Sequence, residues 1–442
     1  MEKFIDEHRD QLIELTRELL KIRSVEEKPQ ESAPFGMGVK EALLKAIDIS
    51  KSLGFKAVNL DNVLGYAEWG EGDDVISVLG HIDVVPEGRG WNYPPYGAEI
   101  HDGRIYARGA IDDKGPTIAA LFGLYALKES NLNISKRVRI VFGTNEESGW
   151  KCMSYFKEKV KDPLVGFSPD ATFPVINREK GILNITLRRD FENKNDILKV
   201  SGGERPNMVP DHAEAEFLQP FNIFVEHHDA VVEGNKIIAK GISAHGSLPE
   251  NGVNAIVTLF EILDHFELNR ELKEVVNFIV HNIGRDFYGK TLGVAMEDEL
   301  SGHLTLNLGV INIDENFCEM TFNIRYPVTD NSERILKIFE RVAAASGFKI
   351  SNYNNWTPLF VDENDPLVQK LMKVYEECTG NNAFTISMGG ATYARVMDKG
   401  VAFGPNFPGS EELAHKSNEF IDIELLVKVA KIYGRAIYEL AK

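Results

Sequence analysis

The sequence predicts an α/β protein in which a mixed sheet lies between helices and a second, α+β domain is inserted into the chain. Short apolar runs alternate with helical patterns up to residue 170, which is typical of a sheet covered by helices. After residue 176 longer alternating runs, such as GILNITLRRDF, indicate antiparallel strands. The first pattern returns near residue 366. We therefore predict one domain of residues 1–176 and 366–442, interrupted by an inserted domain of residues 177–365.

The elements of the first domain follow from their periodicity. Apolar residues at helical spacing predict an amphipathic helix over the first 24 residues and a second helix over 38–54. Residues 55–69 form two short strands that turn at Asp61 and Asn62. The β-branched run at 75–79 predicts a buried parallel strand. A Pro/Gly/aromatic loop, a helix around 118–127 and a helix starting near 145 follow.

The inserted domain shows longer strands with helices between them. A helix is predicted at 255–266, and LTLNLGVINIDENFCEMTFNIRYP followed by a helix at 332–346 forms a second strand-pair-and-helix unit. The returning chain contributes a helix at 366–378 and a segment at 384–397, which we expect to complete the first sheet.

Composition limits the partners and the cellular context. The chain has 442 residues, of which 43% are hydrophobic and 26% charged, as in ordinary globular proteins. A formal net charge of −18 argues against nucleic acid or an anionic membrane as partner. Neither a signal peptide nor a membrane-spanning stretch is predicted. The three scattered cysteines suit a reducing cytoplasm.

Polar residues that can bind metal follow the strand at 75–79. His81 and Asp83 are two residues apart, so an extended backbone would project them to the same side, at the strand end where open α/β sheets bind ligands. Asp112 and Asp113 precede a helical run. Each feature also has an ordinary explanation, because single histidines are usually hydrogen-bonded structural residues and Asp pairs often cap helices.

Two further acidic clusters favour a metal site. Glu146 and Glu147 follow VRIVFG, and Asp170 follows LVGFS. His415 supplies another imidazole late in the chain. Imidazole nitrogens combined with carboxylate oxygens favour Zn²⁺, with Mn²⁺ or Co²⁺ as alternatives.

Together and in this order, GHIDVVPEG, GAIDDKG, TNEESG, SPD and ELAH resemble the dinuclear metallopeptidases that include aminoacylase, carnosinase and carboxypeptidase G. The resemblance extends over nearly the whole chain. NMVPDHAEAEF, GISAHGSLPENGVNAI and SMGGATYAR are most similar to the bacterial PepV-type dipeptidases. The resemblance implies an α/β/α catalytic domain with an inserted α+β lid, here long enough for two ferredoxin-like halves.

The resemblance also implies two divalent ions per chain. His81 and Asp170 would bind one ion. Glu147 and His415 would bind the other, and Asp112 would bridge the pair at roughly 3.5–4 Å. The water shared by such ions loses its proton near neutral pH, which gives a bridging hydroxide.

Three residues are expected to assist this chemistry. Glu146 would act as the general base that passes the water proton to the leaving amine. Asp83 would accept a hydrogen bond from the ring of His81 and fix its tautomer. His245, in the inserted domain, would stabilise the oxyanion of the tetrahedral intermediate; without the resemblance it would be an ordinary turn histidine.

Substrate recognition is expected from the inserted domain and the returning chain. Asn207 and Arg325 are candidates for binding a substrate carboxylate. Gly389 and Gly390 would let the backbone approach the substrate, although a simple turn explains them equally well. Asp113 or a neighbouring acid could meet a free α-amine.

These expectations lead to a function and to two alternatives. The leading hypothesis is metal-dependent hydrolysis of dipeptides with a free C-terminal carboxylate. The first alternative is a deacylase or desuccinylase acting on N-acyl amino acids, and the second is a non-catalytic peptide-binding relative. We expect a monomer, because the second half of the insert would occupy the place that a partner subunit takes in relatives with a smaller lid.

Overall fold

The computed structural model describes residues 1–193, 197–218 and 229–442. These residues form two compact units. Unit 1 comprises Met1–Asn177, Val361–Ile386 and Ala391–Lys442, and unit 2 comprises Arg178–Phe360 and Ser387–Gly390. Unit 2 covers nearly the same stretch as the predicted insertion at 177–365, but its short second segment was not predicted. No described helix is both long and apolar enough to cross a lipid bilayer.

A mixed sheet forms the centre of unit 1. Its strand Val75–His81 runs parallel to Arg137–Gly143 on one side and to Val165–Ser168 on the other. Every residue of Val75–His81 is buried, as expected for a parallel strand covered on both faces. In spatial order the strands of this sheet that contain residues of unit 1 are Lys56–Leu60, Leu64–Trp69, Arg137–Gly143, Val75–His81, Val165–Ser168, Lys399–Ala402 and Val175–Glu179, the last of which extends into unit 2 by two residues. Antiparallel pairs at both ends make the sheet mixed, as predicted.

Helices cover both faces of this sheet. Buried side chains of Lys151–Lys159 join Leu79 and Val141 of the central strands in one apolar cluster. Lys114–Glu129 and Ile423–Ala441 lie outside that cluster and pack against each other and against the same strands. The helices of unit 1 are Glu2–Glu7, Arg9–Leu20, Met37–Ser52, Lys114–Glu129, Lys151–Lys159, Pro366–Thr379 and Ile423–Ala441. The single N-terminal helix that we predicted is thus two helices, which are separated at His8.

Unit 2 contains an antiparallel sheet with helices packed on it. In spatial order its described strands are Ala230–Glu233, Lys236–Lys240, His212–Phe217, Ile197–Gly202, Thr305–Ile313, Phe317–Tyr326, Gly181–Asp190 and Lys349–Trp356. The α-helices among its described residues are Ala255–Leu263, Arg270–Phe278 and Ser332–Ala345. Two halves of the sheet meet where Ile197–Gly202 pairs with Thr305–Ile313. The strand Gly181–Asp190, from the start of the insertion, lies in the half of the later strands, between Phe317–Tyr326 and Lys349–Trp356. Both halves contribute to one apolar core, in which Phe260 and Phe339 are buried.

Candidate metal centre and substrate residues

Parallel strands bring the predicted ligands of unit 1 to one edge of the sheet. Val75–His81 continues two residues beyond its predicted end, so that His81 is itself the last residue of the strand and pairs with Gly143. Because Gly143 is the last residue of its strand, the loop that carries Glu146 and Glu147 begins beside His81. The helix that we predicted from residue 145 begins only at Lys151, so both glutamates lie in a loop.

Two groups of side chains have the arrangement of metal ligands, and they share Asp112. The ligand atoms of His81, Asp112 and Asp170 lie within 4.8 Å of one another, and so do those of Asp112, Glu147 and His415. Oδ1 of Asp112 is 3.1 Å from Nε2 of His81, and its Oδ2 is 3.1 Å from Nε2 of His415. The two oxygens thus face different histidines, which is the arrangement that a bridging carboxylate requires.

The surroundings of these atoms fit divalent ions. Among the described residues, Nε2 of His81 and Oε1 of Glu147 are buried and lack a hydrogen bond of acceptable geometry. Buried polar atoms in proteins almost always have a hydrogen-bond partner. Ligand atoms that converge on one point without bonding to one another are suited to hold a cation, and the mixture of nitrogen and oxygen donors matches Zn²⁺, Mn²⁺ or Co²⁺.

Mutual charges shift the pKa values of the cluster. Burial alone would lower the pKa of His81, but the nearby carboxylates of Asp112 and Asp170 raise it well above its usual value. Burial also opposes the charged form of His415, but the charge of Glu147 and the contact with Asp112 raise its pKa to about 11. Burial, followed by the charge of Asp112, raises the pKa of Asp170 to about 6. The site therefore favours positive charge.

Glu146 adjoins this cluster but belongs to neither ligand group. Burial raises the pKa of its carboxyl group well above the usual value, and the charges of Asp170 and Glu147 act in the same direction against that of His81. A carboxyl group with a raised pKa that is not committed to a ligand group is suited to transfer protons.

Asp83 connects the strand of His81 to the loop of the two glutamates. Its carboxylate accepts the main-chain N–H groups of Glu146 and Glu147, each at 3.1 Å. We expected this carboxylate to bind the ring of His81. Instead, Nδ1 of His81 lies 3.0 Å from the carbonyl oxygen of Asp83 and 3.5 Å from its carboxylate. Asp83 thus orients His81 chiefly through its main chain and the glutamate loop through its side chain.

Asp113 differs from both of its predicted roles. Its side chain is fully buried and makes no capping hydrogen bond to the described helix Lys114–Glu129. Its Oδ2 accepts the N–H of His81 at 3.0 Å and the hydroxyl of Thr117 at 2.9 Å. The expectation that Asp113 meets a substrate amine is therefore wrong, because its carboxyl group is enclosed and fixes the backbone of His81.

In unit 2 the loops that carry Asn207 and His245 lie side by side. Met208 and His245 form an isolated antiparallel bridge, and the N–H of Gly246 donates to the carbonyl oxygen of Asn207 at 2.7 Å. The side chains of Asn207 and His245 are both exposed. Nδ1 of His245 lies 2.6 Å from Oγ of Ser247.

Arg325 and the predicted glycines also lie in unit 2. The guanidinium of Arg325 donates to Oδ1 of Asn323 at 2.9 Å and to the carbonyl oxygen of Gly389 at 2.7 Å. A Cβ at Gly389 would lie 2.8 Å from Cβ of Ser247, so close packing requires glycine there. At Gly390 a Cβ would meet only ordinary contacts, the nearest at 3.5 Å.

Glu419, which the sequence did not single out, binds the main chain at Asp112, and Arg108 pairs with Glu419. Glu419 accepts the N–H groups of Ile111 and Asp112, and Arg108 pairs with it at 2.6 Å. The only sequence feature that could have indicated Glu419 is that it is a charged residue, in SNEF, four positions after His415.

Strand ends with two ligand groups that share one aspartate, beside a half-buried glutamate outside both groups, define a metal-dependent hydrolase. The chain belongs to peptidase family M20/M25/M40, whose model matches residues 78–439, and it is a metallopeptidase. The resemblance and the fold class predicted from the sequence are thus confirmed.

Relatives of known name agree with this assignment. The chain is 43% identical over 456 residues to the putative dipeptidase YtjP of Bacillus subtilis (strain 168), with 98% of each sequence covered. It is 36% identical over 460 residues to the putative dipeptidase SH1171 of Staphylococcus haemolyticus (strain JCSC1435), which covers 99% of this chain and 98% of the relative. Human carnosine dipeptidase 1 shares the fold with a TM-score of 0.64 at 16% identity, over 100% of this chain and 98% of that chain.

Proposed function

We propose that this metallopeptidase hydrolyses dipeptides that have a free C-terminal carboxylate. The observation that carries the proposal is the pair of ligand groups that share Asp112, with Glu146 beside them and outside both. The substrate class is supported by full-length relatives that are named putative dipeptidases.

The ligand groups would hold two divalent ions, for which we propose Zn²⁺, with Mn²⁺ or Co²⁺ as alternatives. His81 and Asp170 would hold one ion. Glu147 and His415 would hold the other, and Asp112 would contact both. When bound, such a pair polarises a carbonyl group and lowers the pKa of a bound water.

The residues of unit 1 supply proton transfer and orientation. Glu146 takes a proton from the attacking water and delivers it to the nitrogen of the leaving amine. Asp83 keeps Glu146 and Glu147 in place through their main-chain N–H groups. Asp113 keeps His81 in place in the same way.

The residues of unit 2 bind the substrate. Arg325 and Asn207 bind the terminal carboxylate, and His245 donates a hydrogen bond to the developing oxyanion. Arg325 is only 4% exposed, and its guanidinium makes two hydrogen bonds within unit 2. Little side-chain entropy therefore remains to be lost when it binds a substrate.

The test is a substrate panel assayed with purified protein in the presence of Zn²⁺, Mn²⁺ or Co²⁺. It pairs each dipeptide with the N-acetyl derivative of the same C-terminal amino acid. We expect kcat/KM for the dipeptides to exceed that for their partners by at least ~10-fold, which corresponds to ~1.4 kcal/mol. Preference for the N-acyl compounds would favour the deacylase alternative, and metal binding without any hydrolysis would favour a non-catalytic protein.

A further inference from the structure

One buried carboxylate organises the main chain around the bridging aspartate. The side chain of Glu419 is fully buried. Its Oε1 accepts the N–H groups of Ile111 at 2.9 Å and of Asp112 at 3.2 Å, and its Oε2 accepts Nη1 of Arg108 at 2.6 Å. Glu419 therefore satisfies two consecutive amides and a cation, and the second amide is that of the proposed bridging ligand.

Arg108 connects this carboxylate to the loop after the central strand. Its side chain is 2% exposed. Nη2 points to the carbonyl oxygens of Pro86 at 3.5 Å and Glu87 at 3.4 Å, and the guanidinium carbon lies 5.4 Å from the centre of the Trp91 ring. Because breaking a buried ion pair leaves an uncompensated charge, the loss of either partner would disturb the main chain near Asp112.

The chain segment of Glu419 also presents His415. His415 has a left-handed backbone with φ of 64°, four residues before Glu419. Asn418 accepts the N–H of Asn92 at 2.6 Å and donates to the carbonyl oxygen of Gly90 at 3.1 Å. The carbonyl oxygen of Glu419 accepts the N–H of Ala107 at 3.1 Å. The turn that carries His415 is thus anchored at two successive residues.

We propose that Glu419, with Arg108 as its partner, is a positioning residue for the ion held by Asp112, Glu147 and His415. Glu419 contacts none of the proposed ion-binding atoms. Its carboxylate fixes the amide of Asp112 and hence the direction of the bridging carboxylate, while its main chain anchors the turn of His415. The inference rests on the proposed metal centre, but metal affinity tests it without any substrate.

The experiment compares two substitutions of the same kind in buried Glu–Arg pairs. Glu419→Gln removes the charge near Asp112. Glu68→Gln is the matched control, because Glu68 is 7% exposed and pairs at 2.6 Å with the buried Arg139. Arg139 lies near the amino end of the strand Arg137–Gly143, whereas the loop of Glu146 and Glu147 follows its carboxyl end. Each protein is freed of metal with a chelator and titrated with Zn²⁺ by calorimetry and with Co²⁺ by absorption spectroscopy. Thermal unfolding is measured in parallel.

We expect Glu419→Gln to bind one of the two ions at least ~10-fold more weakly, as substitutions of outer-shell partners commonly do. Glu68→Gln should lose stability but bind both ions as the unmodified protein does. A folded Glu419→Gln protein with unchanged affinity for both ions would overturn the proposal.

A second variant covers the case in which Glu419→Gln does not fold. Arg108→Lys keeps the positive charge but lacks the guanidinium fork, so it should weaken the same ion to a smaller extent. A folded Arg108→Lys protein that binds both ions normally would then count against the role of Glu419. If the unmodified protein binds two ions but cleaves no dipeptide, the proposed function fails while this inference stands.

Discussion

At the residue scale, the adjacent residues Glu146 and Glu147 are expected to have different functions. Glu147 belongs to a ligand group and Glu146 does not. Glu146→Gln should therefore retain two ions per chain and lose turnover by at least ~10²-fold, the lower range for general acid–base catalysis. Glu147→Gln should lose an ion. Metal content by mass spectrometry and kcat are measured on both proteins, and a single ion in Glu146→Gln would contradict the assignment.

The proposed carboxylate-binding role of Arg325 gives a second prediction. A charge-assisted contact of a partly buried arginine costs about 2–5 kcal/mol when one partner is truncated. A C-terminally amidated dipeptide should thus be cleaved at least ~30-fold less efficiently than the free acid. Arg325→Ala should remove most of that difference.

The measurement is kcat/KM for the acid and the amide on each protein. Arg188→Ala is a suitable control, because Arg188 lies in the neighbouring strand Gly181–Asp190 and pairs with Asp190. It should leave the ratio unchanged. Equal cleavage of acid and amide by the unmodified protein would rule out the carboxylate contact.

Some site residues could be predicted because the local sequence indicates their position. Others could not, because their roles depend on contacts with distant parts of the chain. His81 ends one apolar strand and Asp170 follows another, so the sequence itself indicates that they meet at the carboxyl ends of these strands. The role of Asp113 depends on a main-chain N–H that is 32 residues away in the chain. That of Glu419 depends on Arg108, 311 residues away. Such contacts with distant main chain leave no local pattern.

At the element scale, the strand Thr305–Ile313 supports the loop of Asn207. The side chain of Asn307 is buried and donates to the carbonyl oxygens of Pro206 at 3.0 Å and Met208 at 2.8 Å, on either side of Asn207. Asn307→Ala would leave both oxygens without these donors and would release the loop of Asn207 from the strand. We expect a KM increase of ~10-fold, the equivalent of ~1.4 kcal/mol, with a smaller change in kcat.

The control for this prediction lies in the same strand. Asn312 is exposed, so Asn312→Ala should change neither KM nor the unfolding temperature. Both quantities are measured on both proteins. If Asn307→Ala lowers the unfolding temperature while KM stays constant, the strand stabilises unit 2 without positioning Asn207.

Helix boundaries show where local sequence is insufficient at this scale. The pattern near residue 145 predicts a helix that includes Glu146, yet the helix begins at Lys151. The carboxylate of Asp83 binds the N–H groups of Glu146 and Glu147, and Oδ1 of Asn145 binds that of Lys151. These side chains satisfy the donors in a loop conformation and so compete with helix formation.

At the scale of the whole molecule, the alternation of strands and helices was sufficient to predict an interrupted α/β domain with an inserted α+β domain. The same alternation could not predict that the short segment Ser387–Gly390 belongs to unit 2. It follows a helix of unit 1 in the chain, and its assignment depends on partners such as Arg325, which binds the carbonyl oxygen of Gly389. Contacts between segments that are distant in the chain determine this assignment, and the periodicity of the sequence carries no information about such contacts.

The architecture of unit 2 leads to the prediction that the protein is a monomer. The two halves of unit 2 pair through Ile197–Gly202 and Thr305–Ile313 and share one apolar core. We therefore expect light scattering to show the mass of a single chain at low concentration.

A mixing experiment tests whether one chain contains a whole active site. Glu146→Gln and His245→Ala are prepared separately, and each should be nearly inactive. If every chain uses its own Glu146 and His245, the mixture should show only the sum of the two residual activities. In a dimer whose subunits exchange His245, mixed pairs would contain one site with both residues intact. Because that site would regain activity after subunit exchange, recovery well above the sum, together with a dimer mass, would refute the monomer prediction.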